Sequence, residues 1–210
     1  MDPLWLFALL SIGIMVVPGM DMAFVLSSAL VDGRRAGFAA VAGMVAGAVV
    51  HVTMGALGIG LLLQVVPAAF NALLAAGALY VGWIGWSLLR SHVALAAADG
   101  AVPRALDRIF GKAALTCLLN PKAYLFTLAV FPQFLRPERG PIAAQALALW
   151  AIVATTQVVV YGSVALGAAQ LRDKLGQPPG AQARLGHAVG ALLLATAAWT
   201  LVHAWRSRLA

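Results

Sequence analysis

The chain has 210 residues, of which 62% are hydrophobic and 10% are charged, and its formal net charge is +7. Soluble domains carry about 25% charged residues, and several apolar stretches here exceed the roughly 20 residues with which a helix crosses a bilayer. The composition therefore excludes a soluble domain and indicates a polytopic helical membrane protein. Most basic residues lie between the apolar stretches, so the charge reflects membrane topology and lipid contact rather than nucleic-acid binding.

Six apolar stretches are predicted to be membrane-spanning helices, because lipid offers no hydrogen bonds to exposed backbone. They cover residues 4–30, 36–63, 66–89, 113–135, 142–171 and 185–205. The first stretch is longer than a signal peptide and lacks the basic residues of one, so we interpret it as a retained helix.

The basic residues predict the orientation, since Lys and Arg are retained on the cytoplasmic side. Connections one, three and five contain Arg34, Arg35, Arg90, Arg104, Arg108, Lys112, Arg172, Lys174 and Arg184. The opposite side contains only Arg136, Arg139, Arg206 and Arg208. Both termini are therefore expected outside the cytoplasm. The basic and apolar end of the third connection fits either a segment on the lipid surface or a solvated linker.

The longest connection, residues 91–112, divides the chain into two halves, residues 1–90 and 113–210, with three spans each. An odd number of spans per half gives the halves opposite orientations, as in the inverted repeats of secondary transporters. Substrate sites in such transporters lie near the midplane, where corresponding helices are broken. We therefore predict an all-α fold of six transmembrane helices in two inverted three-helix repeats, with helices one and four broken.

The first span is interrupted by MVVPGMDMAF at residues 15–24. Pro18 lacks an N–H group and Gly19 permits backbone angles that other residues avoid, so both favour a break. A second half-helix is expected to begin near Met20 or Asp21, with Asp21 as its N-cap.

The fourth span contains a matching interruption, LLNPKAYLF. Asn120 followed by Pro121 is typical of a helix start, with Asn as the N-cap and Pro at the first helical position. Both breaks are then expected to expose helix N-termini inside the membrane. Their free N–H groups and partial positive charge suit a carboxylate.

Asp21 and Lys122 are the acidic and basic residues that lie well inside the predicted spans. A charge there costs on the order of 3 kcal/mol even on lenient scales, which favours a functional role. Asp21 could bind a substrate ammonium group or a coupling proton, or it could serve only as an N-cap or as an ion-pair partner of Lys122. Lys122 could also extend to the cytoplasmic interface.

Other buried polar residues admit two interpretations each. His51 could carry a proton or make a structural hydrogen bond. Gln157 and Tyr161 lie one helical turn apart and could line a polar path or bond between helices. The patterns GMVAG and GHAVG are expected to pack helices closely, within one protomer or between protomers.

Several chemistries have no support in the sequence. There is no HExxH zinc motif, Walker loop, GxSxG motif or carboxylate cluster for a metal. The single cysteine, Cys117, lies in an apolar span and is expected to pack as a small apolar side chain. We therefore expect no cofactor, no metal and no ATP-driven or hydrolytic activity.

Three longer stretches resemble the LysE/RhtB family of bacterial amino-acid exporters, in particular its RhtB branch. They are VPGMDMAFVLSSALVDGRRAG, LYVGWIGWSLLR and FGKAALTCLLNPKAYLFTLAVFPQF. The resemblance implies a secondary transporter of the inner membrane, with about six helices, that exports amino acids or related metabolites in exchange with protons. By position, the two family motifs match Pro18, Gly19 and Asp21, and Asn120, Pro121 and Lys122. Met20 stands where the family has a second proline.

We therefore predict an amino-acid exporter whose partners are its small-molecule substrate, the lipid bilayer and, through the glycine patterns, a second copy of the chain. Its binding or coupling residues are expected to be Pro18, Gly19, Asp21, His51, Asn120, Pro121, Lys122 and Gln157. The two alternatives are a membrane-embedded enzyme and a non-transporting subunit of a membrane assembly.

Overall fold

The structure is a computed structural model that describes residues 4–57, 67–90, 105–174 and 179–206. Every regular element in these ranges is helical, which confirms the all-α class for the described part of the chain. The elements are α1 (Leu4–Val16), α2 (Met20–Asp32), α3 (Arg34–Ala56), α4 (Pro67–Arg90), α5 (Leu106–Leu118), α6 (Pro121–Ala129), α7 (Phe131–Phe134), a 3-10 turn (Pro137–Arg139), α8 (Ile142–Lys174) and α9 (Pro179–Arg206).

The helices support a polytopic membrane protein. By length and composition, α3 and α8 can each cross a membrane alone. Two bent pairs can each count as one further span, so the described residues contain up to four candidate spans. The six-span inverted repeat stays a prediction.

Both predicted helix breaks are present. The axes of α1 and α2 meet at 61°, and those of α5 and the segment formed by α6 and α7 meet at 54°. The second half-helix of the first break begins at Met20, as predicted. In the second break, Asn120 caps α6 and Pro121 occupies its first turn, as predicted.

Two predictions about the first break are wrong. Gly19 precedes α2 as its N-cap residue, while Asp21 lies inside the first turn and makes no capping hydrogen bond. Gly19 has φ −167° and ψ −171°, an extended backbone that any residue can adopt. The glycine is therefore not required by the backbone angles, and its importance must come from its neighbours.

The start of the second half also differs from the prediction. Helix α5 begins at Leu106 rather than at residue 113, so residues 106–112 are the first turns of a helix. Ile109 is buried in the helix packing there, while Leu106 and Phe110 are exposed. The rest of the connection, residues 91–104, lies outside the described residues.

The protein core is built around α3, which packs against α2, α5 and α8, while α4 packs against α9. Helix α1 is attached to α6 and α7 by aromatic contacts of Phe7. Its ring centroid lies 5.6 Å from that of Phe126, 5.4 Å from Phe131 and 5.1 Å from Phe134. Large apolar side chains such as Leu147 and Val159 are exposed on the outside, as expected of a surface that faces lipid.

The glycine patterns pack helices within one protomer. A Cβ atom added at Gly43 would collide with the main-chain oxygen of Phe110, and one at Gly47 would lie 2.8 Å from Cβ of Cys117. Helices α3 and α5 therefore approach closely. In the same way, a Cβ atom at Gly190 would lie 2.8 Å from the main-chain oxygen of Gly85, which joins α9 to α4.

We predict that Gly43→Ala lowers the free energy of unfolding by about 1–3 kcal/mol, the usual cost of overpacking, because the added methyl group meets backbone rather than a flexible side chain. The matched control is Gly111→Ala on α5, where an added Cβ atom has nothing within 4 Å. The apparent melting temperature in detergent should fall for the first variant only. Equal melting temperatures would contradict this account of the α3–α5 interface.

Candidate functional site

A cavity of about 50 Å³ lies where the two helix breaks meet. It takes its lining from both predicted halves of the chain. The polar lining residues are Asp21, His51, Asn120, Lys122, Thr127, Gln157 and Tyr161. One buried water needs about 10–15 Å³, so the cavity has room for a few waters. It is far below the roughly 300–1,000 Å³ of pockets that hold drug-sized ligands, and we call this narrow form of the cavity the closed form.

The cavity brings together five of the eight predicted site residues, namely Asp21, His51, Asn120, Lys122 and Gln157. The other three, Pro18, Gly19 and Pro121, form the adjacent breaks. The sequence analysis missed Thr127 and Ala123, which also line the cavity. Their spacing from Asn120 places all three on one face of α6, and this helical periodicity is the signal that could have identified them.

Asp21 is 4% exposed, and its Oδ1 atom has no hydrogen-bond partner among the residues that the structure describes. The side chains of Asn120 and Lys122 are close enough to interact electrostatically with the carboxylate. Neither one satisfies Oδ1, however. A buried carboxylate oxygen without a partner is costly, and this makes Asp21 the strongest candidate for contact with a ligand.

Lys122 directs its ammonium group to the first break. Its Nζ donates a hydrogen bond to the main-chain oxygen of Val17 at 2.8 Å, so the side chain does not extend to the cytoplasmic interface. A Cβ atom at Gly19 would lie 3.2 Å from Nζ. The glycine therefore leaves room for the lysine ammonium group. This contact, rather than the backbone angles of Gly19, explains why a glycine stands there.

His51 connects α3 to the second break. Its Nε2 lies 2.9 Å from the main-chain oxygen of Cys117 and must be the donor, because a carbonyl only accepts. Four residues after Cys117 stands Pro121, which has no N–H group, so this carbonyl accepts from the N–H of Asn120 at 3.1 Å instead, and His51 is its second donor. The ring also packs edge-on against Tyr124, at 4.5 Å between centroids. The structural interpretation of His51 is thus supported.

The two helix N-termini at the breaks differ. At α6, Oδ1 of Asn120 accepts from the main-chain N–H of Lys122 at 3.0 Å, and the N–H groups of Ala123 and Tyr124 donate to the Asn120 carbonyl. This end therefore offers no free main-chain N–H group, contrary to prediction. At α2, hydrogen bonding within the described residues begins with the N–H of Ala23, so the N–H groups of residues 20–22 are unpaired.

Four side chains around the cavity each leave one buried polar atom without a partner in the described part of the chain. The atoms are Oδ1 of Asp21, Nδ1 of His51, Nδ2 of Asn120 and Oε1 of Gln157. All four residues are at most 4% exposed. Buried polar groups in native proteins are normally paired, so a cluster of exceptions points to a ligand or to ordered water. Within the described ranges, no group of three His, Cys, Asp or Glu residues could hold a metal ion.

We predict that Asn120→Ala lowers the free energy of unfolding by about 1 kcal/mol more than Asn120→Ser, because serine retains an oxygen that can cap α6 whereas alanine does not. The two replacements leave similar empty volume, so their difference isolates the cap. Apparent melting temperatures in detergent give the comparison. A serine variant no more stable than the alanine variant would show that the cap contributes nothing.

Known proteins resemble the chain over most of its length. The family model of the LysE type translocators matches residues 12–204. The homoserine/homoserine lactone efflux protein of Salmonella typhimurium is 31% identical over 173 residues, which cover 81% of this chain and 82% of the relative. The leucine efflux protein of Enterobacter sp. (strain 638) is 33% identical over 134 residues, which cover 62% of this chain and 63% of the relative.

A membrane protein of Vibrio cholerae is 31% identical over 176 residues, which cover 83% of this chain and 85% of the relative. No solved structure matches the chain. The family is made of efflux proteins, so the alternative of a membrane-embedded enzyme is wrong. The match over most of the chain agrees with the motifs at both breaks, and the protein belongs to the family of LysE-type translocators.

Proposed function

We propose that this translocator exports an amino acid or a closely related small metabolite from the cytoplasm across the bacterial inner membrane. The observation that carries the proposal is the closed cavity between the breaks, with an anionic and a cationic side chain and four unpartnered polar atoms. A zwitterion supplies donors and acceptors for such a set. The relatives named for homoserine and leucine efflux support a substrate of this class.

The substrate ammonium group binds Oδ1 of Asp21, a buried anionic acceptor that lacks a partner among the described residues. The carboxylate accepts from Nδ2 of Asn120 and from the unpaired N–H groups at the start of α2, where the helix dipole favours negative charge. The side chain faces the apolar wall of the cavity, which includes Met15, Val52, Phe126, Phe131 and Val153. This arrangement suits side chains without a charge.

Transport requires the closed cavity to open to each side in turn. The two halves, each with three spans in opposite orientation, rock against each other around the breaks, with both termini outside the cytoplasm. Asp21 binds a proton when the ammonium group has left, so that proton entry accompanies export. The paired breaks and the position of Asp21 between them support this mechanism.

We predict that Asp21→Asn lowers amino-acid efflux at least about tenfold, because the amide cannot accept both an ammonium group and a coupling proton as a carboxylate does. The measurement is efflux from cells loaded with leucine- and homoserine-containing dipeptides. The matched control is Asp107→Asn in the first turn of α5, where the carboxylate is exposed and away from the cavity. Unchanged efflux in a well-folded Asp21→Asn variant would refute the role of Asp21.

A second prediction concerns substrate class and energy coupling. Inside-out vesicles containing the protein should accumulate leucine and homoserine saturably when their interior is acidic, and the rate should fall at least about tenfold without the pH gradient. Lysine should not be accumulated, because the described cavity lining has no second carboxylate for its side-chain ammonium group. Lysine uptake equal to that of leucine would contradict the proposed binding mode, and gradient-independent uptake would contradict proton coupling.

A further inference from the structure

The two helix breaks are bound to each other through main-chain carbonyls. The carbonyl of Val17 follows the last turn of α1, and no backbone N–H pairs with it within the described residues. An unpaired carbonyl inside a membrane costs several kcal/mol. Its partner is Nζ of Lys122, which is 105 positions away in the sequence and belongs to the opposite half. The reciprocal contact runs from His51 to the carbonyl of Cys117.

The two contacts differ in how tightly the segments around them are packed. His51 and Cys117 belong to α3 and α5, which approach so closely at Gly43 and Gly47 that a Cβ atom has no room there. This contact lies in a rigid interface. Lys122, in contrast, reaches Val17 with a long flexible side chain, and the tip is the part that contacts the first break. The lysine contact can be broken without separating packed backbones.

Helix α1 is held at two points against α6 and α7. Its beginning is attached by Phe7 to the rings of Phe126, Phe131 and Phe134. Its end is attached only ten residues later, about 15 Å along the helix at 1.5 Å per residue, by the bond from Lys122 to Val17. Helix α1 also packs along α8, so release of that bond frees only its last turn, and movement of this turn takes Ile14 and Met15 away from the cavity that they line.

We propose that Lys122 is a positioning residue that keeps the cavity closed by holding the end of α1 to the start of α6, and that this bond breaks when the cavity opens. The inference goes beyond the proposed function, because it concerns how the cavity is closed whatever solute enters it. When no solute is bound, the released ammonium group has an acceptor in Oδ1 of Asp21, which lines the same cavity without a partner among the described residues. A charged hydrogen bond is therefore exchanged rather than lost.

The reactivity of a native cysteine can be used to measure opening of the cavity. Cys117 is the single cysteine, it lines the cavity, and it is 1% exposed in the closed structure. Its rate of alkylation by N-ethylmaleimide, measured on the full chain in lipid vesicles by mass spectrometry, therefore reports how often the cavity opens. The measurement needs no substrate, so its outcome is independent of the proposed amino-acid export.

We predict that Lys122→Met raises the alkylation rate of Cys117 about tenfold, which corresponds to about 1.4 kcal/mol, because methionine cannot donate to the Val17 carbonyl. Lys122→Arg keeps a cationic donor and should stay within about threefold of the unsubstituted protein. The matched control is Lys112→Met on α5, whose ammonium group lies over Trp83 rather than at the breaks; its rate should not change.

A second pair of variants decides the question if Lys122→Met does not fold. In Gly19→Ala the added methyl group lies 3.2 Å from Nζ of Lys122 and displaces only the lysine tip, since the extended backbone accepts alanine. We expect about threefold faster alkylation. Gly13→Ala, on α1 with nothing within 4 Å of the added atom, should have no effect. Unchanged rates in Lys122→Met and Gly19→Ala, or equal increases in the control variants, would overturn the proposal.

Discussion

The requirement that every backbone polar group within a membrane finds a partner governs this structure. Pro18 and Pro121 each interrupt a helical ladder; within the described residues the Val17 carbonyl is left without a backbone donor, whereas the Cys117 carbonyl accepts from the N–H of Asn120. Side chains from the opposite half of the chain complete both breaks: Lys122 binds the Val17 carbonyl, and His51 is a second donor to the Cys117 carbonyl. The breaks therefore do more than bend two helices. They create the acceptors through which distant segments of the chain are joined, and the cavity lies between those contacts.

The same requirement explains why the cavity is polar in a chain that is 62% hydrophobic. Each side chain that closes a break uses only part of its hydrogen-bonding capacity. His51 donates through Nε2 and leaves Nδ1 unpaired, and Asn120 caps α6 through Oδ1 and leaves Nδ2 unpaired. Under the proposed function, structural and ligand-binding roles thus coexist in single residues. The sequence analysis treated these roles as competing interpretations of His51, but a hydrogen-bonded histidine or a capping asparagine still has an unpaired polar atom beside the cavity.

The features that could be predicted from the sequence are those with local causes. Proline and asparagine act on their own helical turn, so both breaks, the start of α2 and the Asn120 cap were predicted correctly. The errors concern contacts between distant segments. Gly19 leaves space for the ammonium group of Lys122, and the carbonyl that accepts the Lys122 hydrogen bond lies 105 positions away in the sequence. The satisfied N-terminus of α6 also depends on a detail of turn geometry, in which the Asn120 carbonyl receives two N–H groups. Residue type and spacing do not indicate which distant residues will form such pairs.

The two breaks are consequently unequal, although their sequences suggest equivalence. At the second break the donors of α6 are used, the Cys117 carbonyl accepts from both Asn120 N–H and His51, and tightly packed glycines surround the contact. At the first break the donors of α2 are unpaired, the adjacent carboxylate is unsatisfied, and a single flexible lysine holds the free carbonyl. An opening motion follows the weaker set of contacts, so the end of α1 should move against a fixed α3–α5 pair. Asp21 lies on α2, which packs against α3, so a group bound to Asp21 stays in place while the end of α1 moves.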